Sequence, residues 1–197
     1  MPVAITSPVE RPAPIQPRRK LWTRAEVAAL ENAGLCVGQH LELIEGELID
    51  KMGKNRPHIR ALMKMLQWAV GVFGWDRVNP EAPTDVAPQD NPTSEPEPDL
   101  IVFREAASQS TPQPDDLALV VEIADTSLKF DLTVKAALYA RAGIVEYLVL
   151  DLNGRRMIVH REPEDGKYKS LVAYGENESV APLAAPDHSL LVGDVLG

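Results

Sequence analysis

The stretch that decides the fold reads LALVVEIADTSLKFDLTVKAALYARAGIVEYLVLD and spans Leu117–Asp151. It begins with a short apolar run, Leu117–Ala124, continues with helical periodicity over Leu128–Ala142, and ends with a second apolar run, Ile144–Asp151. Gly143 lies where the helix must end, because glycine readily adopts the backbone conformation that closes a helix. The pattern predicts a β-α-β unit, in which two parallel strands share a sheet and the connecting helix packs on one face.

Two charged residues of this unit lie where apolar side chains are expected. Both faces of the first strand are otherwise apolar, as in a strand covered on both sides, and Glu122 lies inside it. At about 100° per residue, Lys135 is near the centre of the apolar stripe of the helix, and Asp131 is on its flank. A buried carboxylate or ammonium is unfavourable unless it is paired or bound to a metal. Glu122 and Lys135 therefore neutralise one another, reach the rim of the sheet, or belong to a functional site.

An upstream acid, Asp99, favours the functional site. Pro98 cannot donate a hydrogen bond to a sheet, so it suits the entry of a strand, and Asp99 precedes the apolar run Leu100–Phe103. If this strand lies beside Leu117–Ala124, the carboxylates of Asp99 and Glu122 can approach each other. Two carboxylates supply the oxygen ligands that hold a divalent cation. Such a cation activates water and polarises a phosphate.

An Asp at one strand entry, a Glu inside the next strand and a nearby Lys form the PD…(D/E)XK nuclease constellation. The lysine supplies positive charge to the developing phosphorane or helps to deprotonate water. That motif has its lysine two residues after the Glu, where this chain has Ala124. Lys135, on the following helix, can bring its ammonium to the same place from another backbone position.

The order of these motifs resembles that of the Uma-two-type family of restriction endonucleases, within the PD-(D/E)XK nuclease superfamily. The resemblance covers roughly Trp22 to Arg161, and it is carried by LELIEGELID (Leu41–Asp50), Pro98-Asp99-Leu100, VVEIADTS (Val120–Ser127), Asp131…Lys135…Tyr139 and AGIVEYLVLD (Ala142–Asp151). It implies a restriction-endonuclease-like α/β core, with a mixed β-sheet flanked by helices. It also implies an endonuclease that uses Mg²⁺ or Mn²⁺ to cut nucleic acid, with DNA as the expected substrate.

Carried over residue by residue, the resemblance implies four catalytic residues, of which the first two would bind the metal: Asp99, Glu122, Lys135 and Glu47. Asp131 and Tyr139 would support them. The chain departs from the family's pattern at Asp125-Thr126-Ser127, where many relatives carry Ser, Pro and Ser. Asp125 would place a third acid near the metal.

Glutamates alternate with apolar residues in Leu41–Met52, around Gly46. This predicts two antiparallel strands joined at Glu45-Gly46, or one strand bent at Gly46. Taken alone, the glutamates of such strands face solvent. We expect this for Glu42 and Glu45, and place Glu47 in the site only because of the resemblance.

A helix is predicted over Pro57–Phe73, with a proline in its first turn. Its apolar stripe comprises Ile59, Leu62, Met63, Leu66, Val70 and Phe73. Lys54, Arg56 and His58 surround the helix start, whose positive end could help them to bind a substrate phosphate. A histidine that is simply exposed at a helix start is the commoner case.

Other local signals complete the chain. Thr23-Arg24-Ala25-Glu26 is a capping box that opens a helix ending at Ala33-Gly34. We expect a strand over Asp76–Ala87, and hairpins at Asn153-Gly154 and Asp165-Gly166. The C-terminal segment, Ser179–Gly197, is expected to be a late strand or a docking segment, with a dimer interface as one place for it to dock.

Composition predicts an ordinary folded chain. With 197 residues, 45% hydrophobic and 25% charged, we expect a Pro-rich, basic, disordered arm over residues 1–20 and one nuclease-like domain over residues 21–197. No apolar run is long enough for a membrane span, and no signal peptide opens the chain, so we expect a cytoplasmic protein. A homodimer is expected as well, because cutting two strands requires two sites.

The net charge is −9; residues 1–24 carry +4, so the remainder carries −13. An acidic body opposes tight non-specific DNA binding, which depends on neutralising phosphates. The charge and the displaced lysine favour an alternative hypothesis, a nuclease-like scaffold that binds or assembles without turnover. A glycosidase, the third hypothesis, fits least, because 5% aromatic residues leave little for a sugar-stacking cleft.

Overall fold

The computed structural model of the chain describes residues 19–51, 55–107 and 110–196, and structural statements below refer to these residues. Their helices and strands, in chain order, are α1 Arg24–Asn32, β1 Leu41–Ile44, β2 Glu47–Asp50, α2 Arg56–Phe73, β3 Val78–Pro80, β4 Leu100–Phe103, β5 Leu117–Ala124, α3 Leu128–Phe130, α4 Ala136–Arg141, β6 Glu146–Asp151, β7 Arg156–Glu164, β8 Lys167–Gly175, β9 Ser179–Val180, β10 Leu190–Leu191 and α5 Val192–Val195. Single 3₁₀ turns lie at Trp75–Arg77, Asn91–Thr93 and Pro114–Asp116. Of the arm expected over residues 1–20, residues 1–18 lie outside the described residues.

Six strands form the main sheet in the order β3-β4-β5-β6-β7-β8. β5 and β6 are parallel, with Glu122 opposite Val149, and every other neighbouring pair is antiparallel. The β-α-β unit predicted from the sequence is therefore present, although β6 begins at Glu146 rather than Ile144. All residues of β5 and β6 are buried, because helices cover both faces of the sheet at this point. The predicted α/β architecture with a mixed sheet is confirmed.

α2 covers one face of the sheet, and the helices after β5 cover the other. α2 packs Ala61, Met65 and Ala69 against Leu119 and Val121 of β5. On the opposite face, a second cluster joins strand and helix residues, including Val120, Ala124, Ala136 and Tyr139. Since the side chain of Glu122 follows Val120 and precedes Ala124 on the same face, it points toward the helix that carries Lys135.

The buried stripe of α2 differs from the predicted one. The helix buries Ala61, Leu62, Met65, Ala69 and Phe73, whereas Ile59 and Met63 are exposed at 48% and 59%. The difference arises because small alanines let the helix approach the sheet closely, and this turns the larger residues on the neighbouring stripe outward. Only tertiary packing decides between two adjacent apolar stripes.

Most of the expected turns are present. α1 begins after Thr23, whose capping box with Glu26 is complete. β1 and β2 form an antiparallel hairpin around Gly46, the first of the two arrangements expected there. Antiparallel pairs also flank Asn153-Gly154 and Asp165-Gly166.

The strand expected over Asp76–Ala87 is mostly wrong, since only Val78–Pro80 is in the sheet. Pro80 and Pro83 lack the N–H that a longer strand would need. The C-terminal segment docks on the chain's own core: β9 pairs with β10, and Val192 and Val195 of α5 are buried there. Within the described residues, no helix is both long and apolar enough to cross a membrane.

Candidate functional site

The two acids predicted to bind a metal lie on neighbouring strands, at the floor of one cavity. β4 is antiparallel to β5 with Leu100 opposite Val121, so Asp99 enters β4 beside Glu122. Asp99 Oδ2 accepts a hydrogen bond of 2.8 Å from the backbone N–H of Ile123, which fixes its carboxylate against β5. Both residues are 4% exposed, and both line a cavity of about 380 Å³.

Lys135 reaches this cavity from the helical connection. Lys135 Nζ donates a 2.8 Å hydrogen bond to Glu122 Oε1, and the hydroxyl of Tyr139 donates a 3.0 Å bond to the same oxygen. Asp131–Lys135 forms a π-helical turn between α3 and α4, a rare local geometry that occurs often at functional sites. The lysine displaced from the usual motif position therefore contacts the glutamate of that motif from the following helix.

Glu42 is part of the cluster, and the expectation that it faces solvent is wrong. It is 4% exposed. Its Oε1 lies 3.0 Å from Lys135 Nζ, and its Oε2 accepts a 3.2 Å bond from the N–H of Glu97. The Lys135 ammonium thus bridges two buried carboxylates, one from β5 and one from β1.

Glu47, which the resemblance placed in the site, does not lie in the cluster. Its side chain is 55% exposed, and it pairs with Arg19 at 3.1 Å. Register does not separate the two glutamates: Glu42 is opposite Ile49, and Glu47 is opposite Ile44, so both are on one face of the hairpin. Glu47 lies beside the turn, whereas Glu42 lies toward the open end of the hairpin, where it contacts Glu97 and Lys135.

Asp131 is a further carboxyl group of the cavity lining. Its Oδ2 accepts a 2.5 Å hydrogen bond from the hydroxyl of Ser127, and its backbone carbonyl accepts one of 3.1 Å from the hydroxyl of Tyr147. Burial raises the pKa of Asp131, although Lys135 and the Ser127 bond lower it. Asp131 is therefore a fixed, buried carboxyl group that can exchange a proton nearer neutrality than an ordinary aspartate.

The cluster contains more negative than positive groups. Burial raises the pKa of Glu122 to about 8; Lys135 opposes this shift, and the neighbouring carboxylates reinforce it. Burial alone would lower the pKa of Lys135, but Glu122, Glu42 and Asp131 raise it well above its usual value. Lys135 therefore stays charged at neutral pH, and Glu122 is the group that gains a proton when no further cation is present.

Of the described residues predicted to bind substrate at the start of α2, His58 lines the cavity and Arg56 does not, and their role stays a prediction. His58 is not simply exposed: its Nε2 lies 3.2 Å from Asp99 Oδ2, and its side chain is 12% exposed. Its backbone N–H is capped by the side chain of Asn55. Arg56 lines a separate groove on the outer face of α2, and Lys54 lies outside the described residues.

Asp125 lines the cavity, but its carboxylate is already engaged. One oxygen accepts a bond from the amide of Asn55, and the other accepts one of 3.0 Å from the amide of Asn153. These bonds tie the turn after β5 to the start of α2 and to the β6–β7 turn. Asp125 therefore shapes the rim of the cavity.

The donor set fits a hard divalent cation held by two carboxylates. Among the described residues, no group of three His, Cys, Asp or Glu side chains has an arrangement that could hold a metal ion by itself. Mg²⁺ seldom needs such a cage, because it keeps several waters and uses one or two carboxylates together with substrate phosphates. Asp99 and Glu122 would supply those two carboxylates, and the excess of buried negative charge is what a cation would compensate.

Comparison with known proteins identifies the family and the fold. A family model, Uma2, described as a "putative restriction endonuclease", matches residues 29–193. A solved structure, a putative nuclease belonging to DUF820 from Anabaena variabilis ATCC 29413, superposes with a TM-score of 0.63 at 16% identity, covering 83% of this chain and 95% of that one. At that identity the match shows the shared fold. No curated protein matches the chain at a significant level. The family match spans most of the chain, β1 and the complete β4–β5–α–β6 core included, and the chain belongs to the Uma2 family of putative restriction endonucleases.

Proposed function

We propose that this chain is a divalent-metal-dependent nuclease that hydrolyses phosphodiester bonds in the cavity formed by Asp99, Glu122 and Lys135. Membership of the family supports nuclease chemistry. The observation that carries the metal dependence is the composition of the cavity lining, in which carboxyl groups outnumber ammonium groups. The lining contains the six acids Glu42, Asp50, Asp99, Glu122, Asp125 and Asp131 and the two lysines Lys51 and Lys135. A structural ion pair needs only one partner of each sign. The surplus acids are therefore more consistent with binding a cation, which in turn would bind a phosphate.

In this proposal Asp99 and Glu122 hold Mg²⁺ or Mn²⁺. When bound, the cation would polarise the phosphate and lower the pKa of water. His58 would orient Asp99 through its Nε2 contact, and Tyr139 would orient Glu122 through its hydroxyl. Such partners of ligating carboxylates keep the ligands in position.

Lys135 acts through its charge. Because its pKa is raised, the amine does not accept a proton from water near neutral pH, and its ammonium stabilises negative charge that develops on the phosphate. Asp131, which is buried and has a raised pKa, is the candidate to accept the proton of the attacking water. Glu42 is the second carboxylate that holds the ammonium, and Glu47 has no role in the chemistry.

The alternative is a binding or assembly module that keeps the fold without turnover. The ion pairs of Lys135 with Glu122 and Glu42 favour it, because they give this lysine a structural role in the absence of metal. A module of this kind has no reason to bind a divalent cation at Asp99 and Glu122, so metal titration separates the two functions.

The deciding experiment is a cleavage assay on supercoiled DNA, linear duplex, single-stranded DNA and RNA, with Mg²⁺ or Mn²⁺. We expect cleavage that EDTA abolishes and that Asp99→Asn and Glu122→Gln each remove, with Mn²⁺ binding lost in calorimetry. Glu47→Gln is the matched control and should retain full activity. Activity in either site variant, or in EDTA, contradicts the mechanism. Metal binding without cleavage of any substrate supports neither function as stated and removes the nuclease proposal.

The homodimer and the cytoplasmic location predicted from the sequence stay predictions. Sedimentation velocity over a range of protein concentrations tests the first. A dimer that places two cavities on one side would be consistent with cutting both strands of a duplex.

A further inference from the structure

The outer face of α2 carries a groove with an apolar floor and a basic edge. Its volume is about 1090 Å³, and its floor comprises Ile59, Met63, Leu66, Val70 and Trp75. Three of these are well exposed: Ile59 at 48%, Met63 at 59% and Trp75 at 68%. Exposed apolar area of this kind on a helix usually marks a binding surface.

The basic edge is a regular ladder. Arg56, Arg60 and Lys64 are four residues apart, so they lie on one side of the helix at intervals of about 6 Å along its axis. The ammonium of Lys64 is held at the groove by a 2.7 Å hydrogen bond to the carbonyl of Leu196. In the part of the chain that the structure describes, the groove lining contains no acidic residue, although the whole chain carries −9.

The ladder leads away from the candidate active site. His58, in the first turn of α2, contacts Asp99, and Arg56 and Pro57 beside it already line the outer groove. From Arg56 to Lys64 the helix rises by about 12 Å, so the three cations form a row along which one strand can place successive phosphates. Trp75 lies beyond the ladder, in the 3₁₀ turn after α2.

We propose that this groove binds a single-stranded nucleic acid segment that flanks the scissile bond, with its phosphates on Arg56, Arg60 and Lys64 and a base stacked on Trp75. The inference rests on the proposed function and adds the form of the substrate. A single strand offers both phosphates and apolar base faces, and so it matches both parts of the groove. A duplex hides its base faces. A second copy of this chain, docked through the same face, would bring two sets of three cations together.

The first test measures binding of a fluorescein-labelled oligonucleotide of about 12 nucleotides, within the usual site size of single-strand binders, by anisotropy in EDTA, where no cleavage occurs. Three phosphate contacts give a slope of log affinity against log salt of about −2, and Arg60→Gln should reduce its magnitude by about 0.7. Trp75→Ala should weaken binding by about 5- to 150-fold and remove the tryptophan quenching that accompanies binding. Lys167→Gln, an exposed lysine on β8, is the matched control and should bind like the parent.

Three results would overturn the inference. One is unchanged affinity in both Arg60→Gln and Trp75→Ala, with circular dichroism confirming that both variants are folded. Another is equal or tighter binding of a duplex of the same sequence, which would contradict base stacking. The third is a dimer of the parent that Met63→Glu converts to a monomer, because the face would then be an interface between two copies.

The same variants separate this inference from the proposed function. If the parent cleaves nucleic acid, and Arg60→Gln and Trp75→Ala cleave and bind as well as the parent, the groove proposal is refuted and the nuclease proposal is not. If the parent binds single strands through the groove but cleaves nothing with Mg²⁺ or Mn²⁺, the nuclease proposal is refuted and the groove proposal is not.

Discussion

Replacing Lys135 with methionine tests the electrostatic balance of the cavity most directly. The substitution keeps an unbranched apolar stem and removes the ammonium that lies 2.8 Å from Glu122 and 3.0 Å from Glu42. Removing one partner of a buried ion pair typically destabilises a protein by about 3–5 kcal/mol, and here we expect this loss above the pKa of Glu122, where the remaining carboxylate must stay buried or take up a proton. For a chain of this size that corresponds to a fall in Tm of roughly 6–20 °C.

The loss should depend on pH. The folded-state pKa of Glu122, already raised to about 8, rises further without Lys135, because that ammonium is what opposes the shift. A carboxyl group whose folded-state pKa is raised contributes stability that is full below its unfolded pKa and is lost as pH rises through the folded pKa. The variant should therefore be close to the parent at about pH 5 and clearly less stable at about pH 9.

The assay is thermal denaturation followed by circular dichroism across this pH range, with cleavage measured on the same preparations. Lys129→Met, an exposed lysine in α3, is the control and should change neither quantity. In the double variant Lys135→Met/Glu42→Gln, one unpaired carboxylate is gone, so part of the stability should return while cleavage stays absent. A single variant as stable as the parent at about pH 9 would refute the charge argument, and one that cleaves at the parental rate would refute the catalytic role of Lys135.

Three further predictions follow from individual contacts. His58→Ala removes the partner of Asp99 and should weaken Mn²⁺ binding by about 10- to 100-fold in calorimetry; unchanged affinity would show that the contact is incidental. Glu42→Gln should reduce cleavage, since it loosens the Lys135 ammonium, whereas Glu47→Gln should not; equal effects would contradict the assignment of Glu42. Burial lowers the pKa of His160, so the parent should lose stability as pH falls below about 6.5. His160→Phe should reduce that loss in urea unfolding at several pH values, and an identical pH profile would contradict this.

The core of the site could be predicted because its signals are local. The sequence shows apolar runs for β5 and β6 and helical apolar periodicity for the connection between them. That periodicity places Lys135 toward the sheet, even though the connection includes a π-helical turn. The proximity of Asp99 and Glu122 required one more assumption, that β4 lies beside β5, and the structure has that pairing. Patterns that repeat within one element are sufficient for this part of the fold.

The burial of Glu42 could not be predicted, because it depends on contacts between parts of the chain that are distant in sequence. Its burial depends on how the β1–β2 hairpin docks, through the bridge between Leu43 and Glu95, against a loop far away in sequence. Glu42 and Glu47 are on one face of the hairpin, so alternation gives no way to distinguish them. The same limit applies to α2, where two neighbouring apolar stripes compete and only packing against the sheet selects one.

The acidic net charge is a weaker argument against a nucleic acid substrate than the sequence suggests. The total does not say where the charges lie, and the pairs Arg24–Asp85, Arg141–Asp90, Arg156–Asp151 and Arg161–Glu146 cancel charge locally without changing the net value. What a phosphate meets is the local field, and the two candidate surfaces differ in sign. The cavity is negative until a cation enters, whereas the α2 groove is positive without one. Binding at the groove should therefore persist in EDTA, and engagement of the scissile phosphate should require metal, so that one strand is first held beside the site and then drawn into it.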